Sequence, residues 1–199
     1  MIWQDGRLLS PGKIRRGDRL HNGLRVWPPE RSKLAALSYL DADPPIDNAR
    51  VLYLGAAAGT TVSFVADYAE VVYAVEFSRR PMQSLIRLSQ ERRNIIPLFE
   101  DARHPERYHA FVEKVDIVIQ DIAQPDQPEI AISNMIFLKP GGMLILFLKM
   151  FSISVSKNQD DICSRAVSKL KDAGLCEITT VSLEKYHGGH VAILGIWNR

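Results

Sequence analysis

The sequence predicts a doubly wound α/β domain: a mostly parallel seven-stranded sheet with an antiparallel edge strand, preceded by a small N-terminal β appendage. Three observations carry this prediction. From Val51 onward, short apolar β-favouring runs alternate with helical stretches, as consecutive βα units require. The stretch Val51–Thr61, VLYLGAAAGTT, joins a buried-type strand to a helix start through a tight turn of small residues. The last two strand candidates, Cys176–Leu183 and His190–Trp197, have no helix between them and therefore pair antiparallel.

At the front, Ile2-Trp3, Arg7-Leu8-Leu9 and Leu24–Trp27 are strand candidates broken by Gly6, Pro11-Gly12 and Asn22-Gly23, which is turn chemistry. Residues 1–30 read as a β meander too small to fold alone, and residues 31–199 as the main domain. Ser32 is placed to cap a helix over Lys33–Leu40, and 41–48 links that helix to the strand Val51–Leu54. Helix Thr61–Tyr68 leads to strand Val71–Val75. Helix Arg80–Arg92, with Pro81 tolerated in its first turn, leads to strand Ile95–Leu98. A helix near Pro105–Val112 precedes strand Val115–Ile119. Asp126 and Pro128 open the next helix, which ends before a Lys139–Gly142 turn and strand Met143–Leu148. Helix Asp160–Ala173 is stopped by Gly174.

The composition, 46% hydrophobic and 24% charged, is that of an ordinary globular domain. The longest apolar runs, such as Met143–Leu148, are too short to span a bilayer, so no membrane partner is expected. No basic-then-apolar leader opens the chain, which points to a location inside the cell. Cys163 and Cys176 have neither metal nor redox spacing, and no metal site is expected. Charge is unevenly spread. Residues 1–33 hold eight of the 25 Lys/Arg and three of the 23 Asp/Glu, a balance of +5, while the remainder carries −3. A basic front on a mildly acidic body suits a polyanion-facing surface, although a solvated basic loop would give the same count.

In a doubly wound sheet, ligands sit at the carboxyl ends of the strands. The first main strand ends in Gly55, which with Ala57, Gly59, Thr60 and Thr61 forms a small-residue turn at a helix N-terminus, a nucleotide-binding arrangement. The second ends in Glu76-Phe77, 21 residues beyond Gly55, the spacing expected of a carboxylate that accepts from ribose hydroxyls. Phe77 suits an adenine face. After the third, Asp101 is placed to accept from an adenine amino group and the Ala102 amide to donate to the ring. The fourth ends in Asp121, beside the cofactor crevice, with Gln124 close behind. The fifth ends in Lys149, an ammonium emerging from six apolar residues, and Asp121 is its expected partner. His190 opens the last strand; on its own it is as well read as structure. The glycine pattern G-x-x-x-G lacks the second glycine that a pyrophosphate demands, which disfavours a nicotinamide dinucleotide and suits S-adenosylmethionine.

Taken together, these motifs resemble fibrillarin, the S-adenosylmethionine-dependent RNA 2′-O-methyltransferase family of box C/D ribonucleoproteins. The resemblance rests on Arg25-Val26-Trp27, Arg31–Ala36, VLYLGAAAGTT, Tyr73–Phe77, Asn94–Pro97, Glu100–Pro105, Val115-Asp116, Asp121–Gln127, Phe137–Gly142, His190-Val191 and Gly195–Trp197, in that order. It implies a Rossmann-like class I methyltransferase fold and cofactor contacts at Thr60, Thr61, Glu76, Phe77, Asp101, Ala102, Asp121 and Gln124. It also implies a catalytic constellation of Lys33, Asp121, Lys149 and His190; Lys33 enters only through the resemblance. Implied partners are a box C/D guide RNA with its target RNA, a Nop-family scaffold protein and a kink-turn-binding ribosomal-type protein. The absence of a Gly/Arg-rich tail looks like the archaeal form, hence a cytoplasmic location, nucleolar only in a eukaryote. Two departures stand out: Phe64 where a histidine is common, and Met150-Phe151 after the lysine. Two rival readings are a protein (glutamine) methyltransferase on the same fold and a non-catalytic ribonucleoprotein scaffold.

Overall fold

The computed structural model describes residues 1–153 and 159–198. Four short strands, β1 (Ile2–Gln4), β2 (Arg7–Ser10), β3 (Leu20–His21) and β4 (Leu24–Val26), form an antiparallel sheet in the order β1-β2-β4-β3. The strand beyond the three expected is β3. It joins β4 through Asn22 (φ 50°) and Gly23 (φ 77°), the left-handed pair that a two-residue hairpin turn needs.

The main sheet holds β5 (Arg50–Leu54), β6 (Val71–Val75), β7 (Ile95–Leu98), β8 (Val115–Gln120), β9 (Leu138–Lys149), β10 (Leu175–Ser182) and β11 (His190–Trp197). Its order is β10-β11-β9-β8-β5-β6-β7, with β11 antiparallel to both neighbours and the other pairings parallel. The chain reverses its direction of winding between β5 and β8, and that gap is where such a sheet opens a crevice. The helices are α1 (Lys33–Ser38), α2 (Thr60–Val65), α3 (Arg79–Glu91), α4 (Gln127–Asn134), α5 (Met150–Ile153) and α6 (Gln159–Asp172).

Side-chain alternation along the strands splits the core into two layers. Val51 and Tyr53, Ile117 and Ile119, Ile145 and Phe147 face α1, α2 and α3. Leu52 and Leu54, Val118, Leu144 and Leu146 face α4 and α6. The first layer also takes in Leu8 and Trp27, so the front sheet shares the core of the main one. A buried ionic knot reinforces that junction. Asp67, just past α2, accepts from Arg25, from Ser10 Oγ and from Arg92 Nε (2.8 Å), with its side chain 3% exposed. Gly12 lies so close that an added Cβ would overlap the Asp67 carboxylate.

Two expectations about local structure are corrected. Pro105–Val112 is not one helix but two single 3-10 turns, Pro105–Arg107 and His109–Phe111. Buried Tyr108, stacked on Phe137 and bonded through its hydroxyl to Asn134, fixes the chain between them. Lys139–Gly142 is not a turn before a strand but part of β9. On the β8 side Leu138 pairs with Val115 and Met143 with Ile117, so the Pro-Gly-Gly run bulges outward there. On the other edge Gly142 remains paired with Trp197.

Candidate active site

A cavity of about 290 Å³ opens at the carboxyl ends of β5, β6 and β8. Its near wall is the turn after β5. Gly55 (φ 81°) packs so tightly on the end of β8 that a Cβ there would lie 2.5 Å from the Asp121 carbonyl oxygen. Ala57 holds a left-handed φ of 48°, and its N–H donates to Glu76 Oε2 (2.8 Å). Glu76 Oε1 accepts from the Ser78 N–H (2.7 Å). This buried carboxylate thus ties the end of β6 to the turn after β5, and each oxygen keeps one acceptor site for a ligand. Phe77 is 56% exposed beside the opening, a large apolar ring left uncovered.

Asp101 and Ala102 line the far wall, and Asp121 and Gln124 the side toward β8. Arg103, which the sequence reading missed, clamps Asp101 with Nε (3.1 Å) and Nη2 (2.6 Å). Those bonds hold the Asp101 carboxyl below the usual carboxylate range. The signal was the two-residue spacing, since the Arg103 N–H also donates to Asp101 Oδ1. Gly59, Thr60 and Thr61 lie outside this cavity wall. Gly59 (φ 82°) caps α2, and a Cβ there would approach Leu88 Cδ2 to 2.5 Å, so it serves helix packing. Thr61 donates to Ser32 Oγ (3.2 Å), and Thr60 faces a second hollow.

The lining suits S-adenosylmethionine by its charge. Glu76, Glu100, Asp101 and Asp121 outnumber the lining cation Arg103 and the Lys33 ammonium beside Asp121, a field that favours a sulfonium and an ammonium over a pyrophosphate.

Beside the cavity, Lys33 Nζ donates to Asp121 Oδ1 at 2.6 Å, both groups partly buried. This corrects the expected Lys149–Asp121 pair: the cation on Asp121 comes from α1, 88 residues away in sequence. Lys33 is the first residue of α1. Ser32 fixes that helix start by accepting from the Ala35 N–H (3.3 Å) and from Thr61 Oγ1, which ties α1 to the turn after β5. Beneath them, burial and the Asp121 charge push the Tyr53 phenol well up.

Lys149 and His190 oppose each other across β9 and β11. Alternation with Phe147 and Ala192, both in the layer facing α1, puts them on the same sheet face as Lys33. Among the described residues Lys149 makes no ion pair. Its backbone is gripped at both ends by buried Gln127, whose Oε1 accepts from the Lys149 N–H (2.8 Å) and whose Nε2 donates to its carbonyl (3.1 Å). The His190 Nδ1 donates to the Gly188 carbonyl (2.9 Å), which leaves Nε2 with a free lone pair. Burial pushes the imidazole below its ordinary value, with the Lys33 charge adding to the shift, which favours the neutral form. A neighbouring histidine, His187, bonds the Pro29 carbonyl (2.8 Å), drawing the β10–β11 loop against the segment that delivers Lys33. The four residues of the expected constellation thus share one face of the sheet, and Asp121 belongs to both groups.

Residues 11–199 match the family described as Fibrillarin. The chain belongs to the fibrillarin family. Among fibrillarin relatives, the "fibrillarin-like rRNA/tRNA 2′-O-methyltransferase" of Methanospirillum hungatei is 59% identical over 198 residues, covering 100% of this chain and 97% of that protein. The fibrillarin of a fibrillarin/Nop5p complex superimposes with a TM-score of 0.87 at 37% identity, covering 97% of this chain and 94% of the other. Fibrillarin from Aeropyrum pernix, solved with natively bound S-adenosyl-L-methionine, gives 0.83 at 36% identity, covering 95% and 88%. The class I methyltransferase fold expected from the fibrillarin resemblance is the one observed.

Proposed function

We propose that this chain transfers a methyl group from S-adenosylmethionine to the ribose 2′-hydroxyl of rRNA or tRNA, as the catalytic subunit of a box C/D ribonucleoprotein. The observation that carries the reading is the Lys33–Asp121 pair at the mouth of the carboxylate-lined cavity, with Lys149 and His190 opposed on the same sheet face. The fibrillarin relatives, one named for this activity and one solved with the cofactor, support it.

The cofactor, when bound, supplies a methyl group on a sulfonium, which leaves as a neutral thioether. Glu76 holds its ribose, Asp101 and Ala102 its adenine edge, Phe77 its ring face, and Asp121 with Gln124 the end nearest the acceptor. A ribose hydroxyl is a poor nucleophile and must lose its proton as the new bond forms. Neutral His190 accepts that proton through Nε2. Lys149 stabilises the charge growing on the oxygen, and Lys33, locked to Asp121, holds the ribose in line. Gln127 fixes the backbone from which Lys149 projects.

In this reading, base pairing with the guide RNA selects the nucleotide. A Nop-family scaffold holds the subunit, as the fibrillarin/Nop5p complex suggests, and a kink-turn-binding ribosomal-type protein completes the particle. The test is methyl transfer from labelled S-adenosylmethionine in a particle reconstituted with guide RNA, scaffold and kink-turn protein. Label is expected at one guided 2′-oxygen and is expected to be lost with Lys149→Ala while cofactor binding persists. Label in protein, or label in RNA that ignores the guide, would overturn the reading.

A further inference from the structure

A second hollow, of about 360 Å³, lies on the other side of the α2 N-terminus. Thr60, Ser63 and Phe64 form its floor, one stripe of α2 at helical spacing. Its walls carry Arg15, Arg16, Arg19 and Arg31, and it runs up to Ser32, the residue before Lys33. Among the described residues none of these four guanidinium groups makes an ion pair. The acids at hand do not neutralise them. The Asp18 carboxylate accepts from Arg25 Nε (2.7 Å) and from the Arg15 backbone N–H (2.7 Å), and Glu30 is exposed at the rim. Partial burial together with the charges of Arg92 and Arg25 pushes Arg15 down, which shows how crowded with positive charge the hollow is.

Among the described residues the groove also lacks a free aromatic face. Phe64 is covered on one side by the Arg25 guanidinium, 3.9 Å from its centroid, and stacks on Trp27 at 5.2 Å. A surface that reads bases in single strands presents aromatic rings for stacking. A surface that presents only unpaired arginines reads phosphates, without regard to sequence.

We infer that the groove bounded by Arg15, Arg16, Arg19 and Arg31 binds the sugar–phosphate backbone of the RNA strand flanking the acceptor ribose, and so feeds that strand toward Lys33. This rests on the methyl-transfer reading and adds to it a sequence-blind phosphate track leading to the catalytic face. An acidic protein segment is the competing occupant.

The test uses the full chain and a fluorescein-labelled twelve-nucleotide RNA, free and paired with its complement, with anisotropy recorded across KCl concentrations. The comparison is with R16Q/R19Q/R31Q, three exposed residues whose loss leaves the buried Arg25–Asp67 knot intact. The expected result is a loss of about tenfold or more in affinity at 50 mM KCl, and a salt slope lower by about two, since each phosphate contact contributes roughly 0.7 in single strands. Titration with S-adenosylmethionine checks folding and is expected to be unchanged. Equal affinity and slope in the two proteins would overturn the inference, as would absence of RNA binding by the wild-type chain at 20 mM KCl. Tighter capture of a twelve-residue oligoglutamate than of RNA would assign the groove to an acidic protein instead. The methyl-transfer reading fails on a different readout, the position of the label.

Discussion

Two hollows flank the start of α2, and they carry opposite charge. The one toward β6 and β8 is lined by Glu76, Glu100, Asp101 and Asp121 with Arg103; the one toward the front sheet is lined by Asp18, Glu30 and five arginines, four of which make no ion pair among the described residues. They are separated by one turn of chain, Gly55 to Thr60, and by the Ser32–Thr61 hydrogen bond. In the proposed reading, the difference sorts a cationic small molecule from an anionic polymer, each attracted to one hollow and repelled by the other. The pair Lys33–Asp121 lies on the boundary, one charge from each side.

The largest expected effect comes from breaking the boundary itself. Asp121→Asn removes the charge that holds Lys33, and kcat for methyl transfer is expected to fall by about 10²–10⁴ fold. RNA affinity and its salt slope are expected to stay as they were, so a parallel loss of RNA binding would show that the two hollows are not separable. Next in size is the anchor of the basic side. Arg25→Leu leaves the buried Asp67 and Asp18 carboxylates short of a partner and is expected to destabilise the fold by about 3–5 kcal/mol in urea denaturation. A change under 1 kcal/mol would mean that the front sheet is held by Leu8 and Trp27 alone.

The acidic side is sharpened by Glu76→Gln. The amide places a donor opposite either the Ala57 or the Ser78 N–H and removes a charged acceptor, so S-adenosylmethionine affinity is expected to drop by about 1.5–3 kcal/mol in calorimetry. The RNA salt slope again serves as the control. The smallest effect is the pH response of His190. Its folded-state pKa lies below 6.5, so the imidazole is neutral through pH 7–8, and turnover is expected to be nearly flat there and to decline only in more acidic buffer. Since the folded protein disfavours the charged form, protonation also weakens the fold as pH falls below 6.5. A decline centred above pH 7 would remove His190 from the proton-accepting role.

Much of this architecture is readable in the residues because its signals are local. Val51–Leu54 and Val71–Val75 are apolar runs that need two covered faces, and the closing strands lack a helix between them. Carboxylates at strand ends follow from the same pattern, and Glu76, Asp101 and Asp121 do line one cavity there. What sequence spacing cannot show is which distant group fills a charge. Lys149 has Asp121 at the end of the neighbouring strand, yet Lys33 arrives from α1 because Ser32, Thr61 and the His187–Pro29 bond place that helix over the sheet end. The same limit hid the grip of Gln127 on Lys149 and the outward bulge of Pro140-Gly141 within β9. Each is decided by a partner strand or side chain far along the chain.

The strand β11 has a further consequence, for the order in which the site is completed along the chain. Among the described residues it follows every other element, yet it sits inside the sheet, and β10 joins the sheet through it. His190 rides on its first residue, opposite Lys149. During synthesis, then, the strands β5, β6 and β8 that wall the cavity emerge before the strand that sets His190 opposite Lys149. The sheet is thus completed from within, by the eight-residue strand that separates β9 from β10.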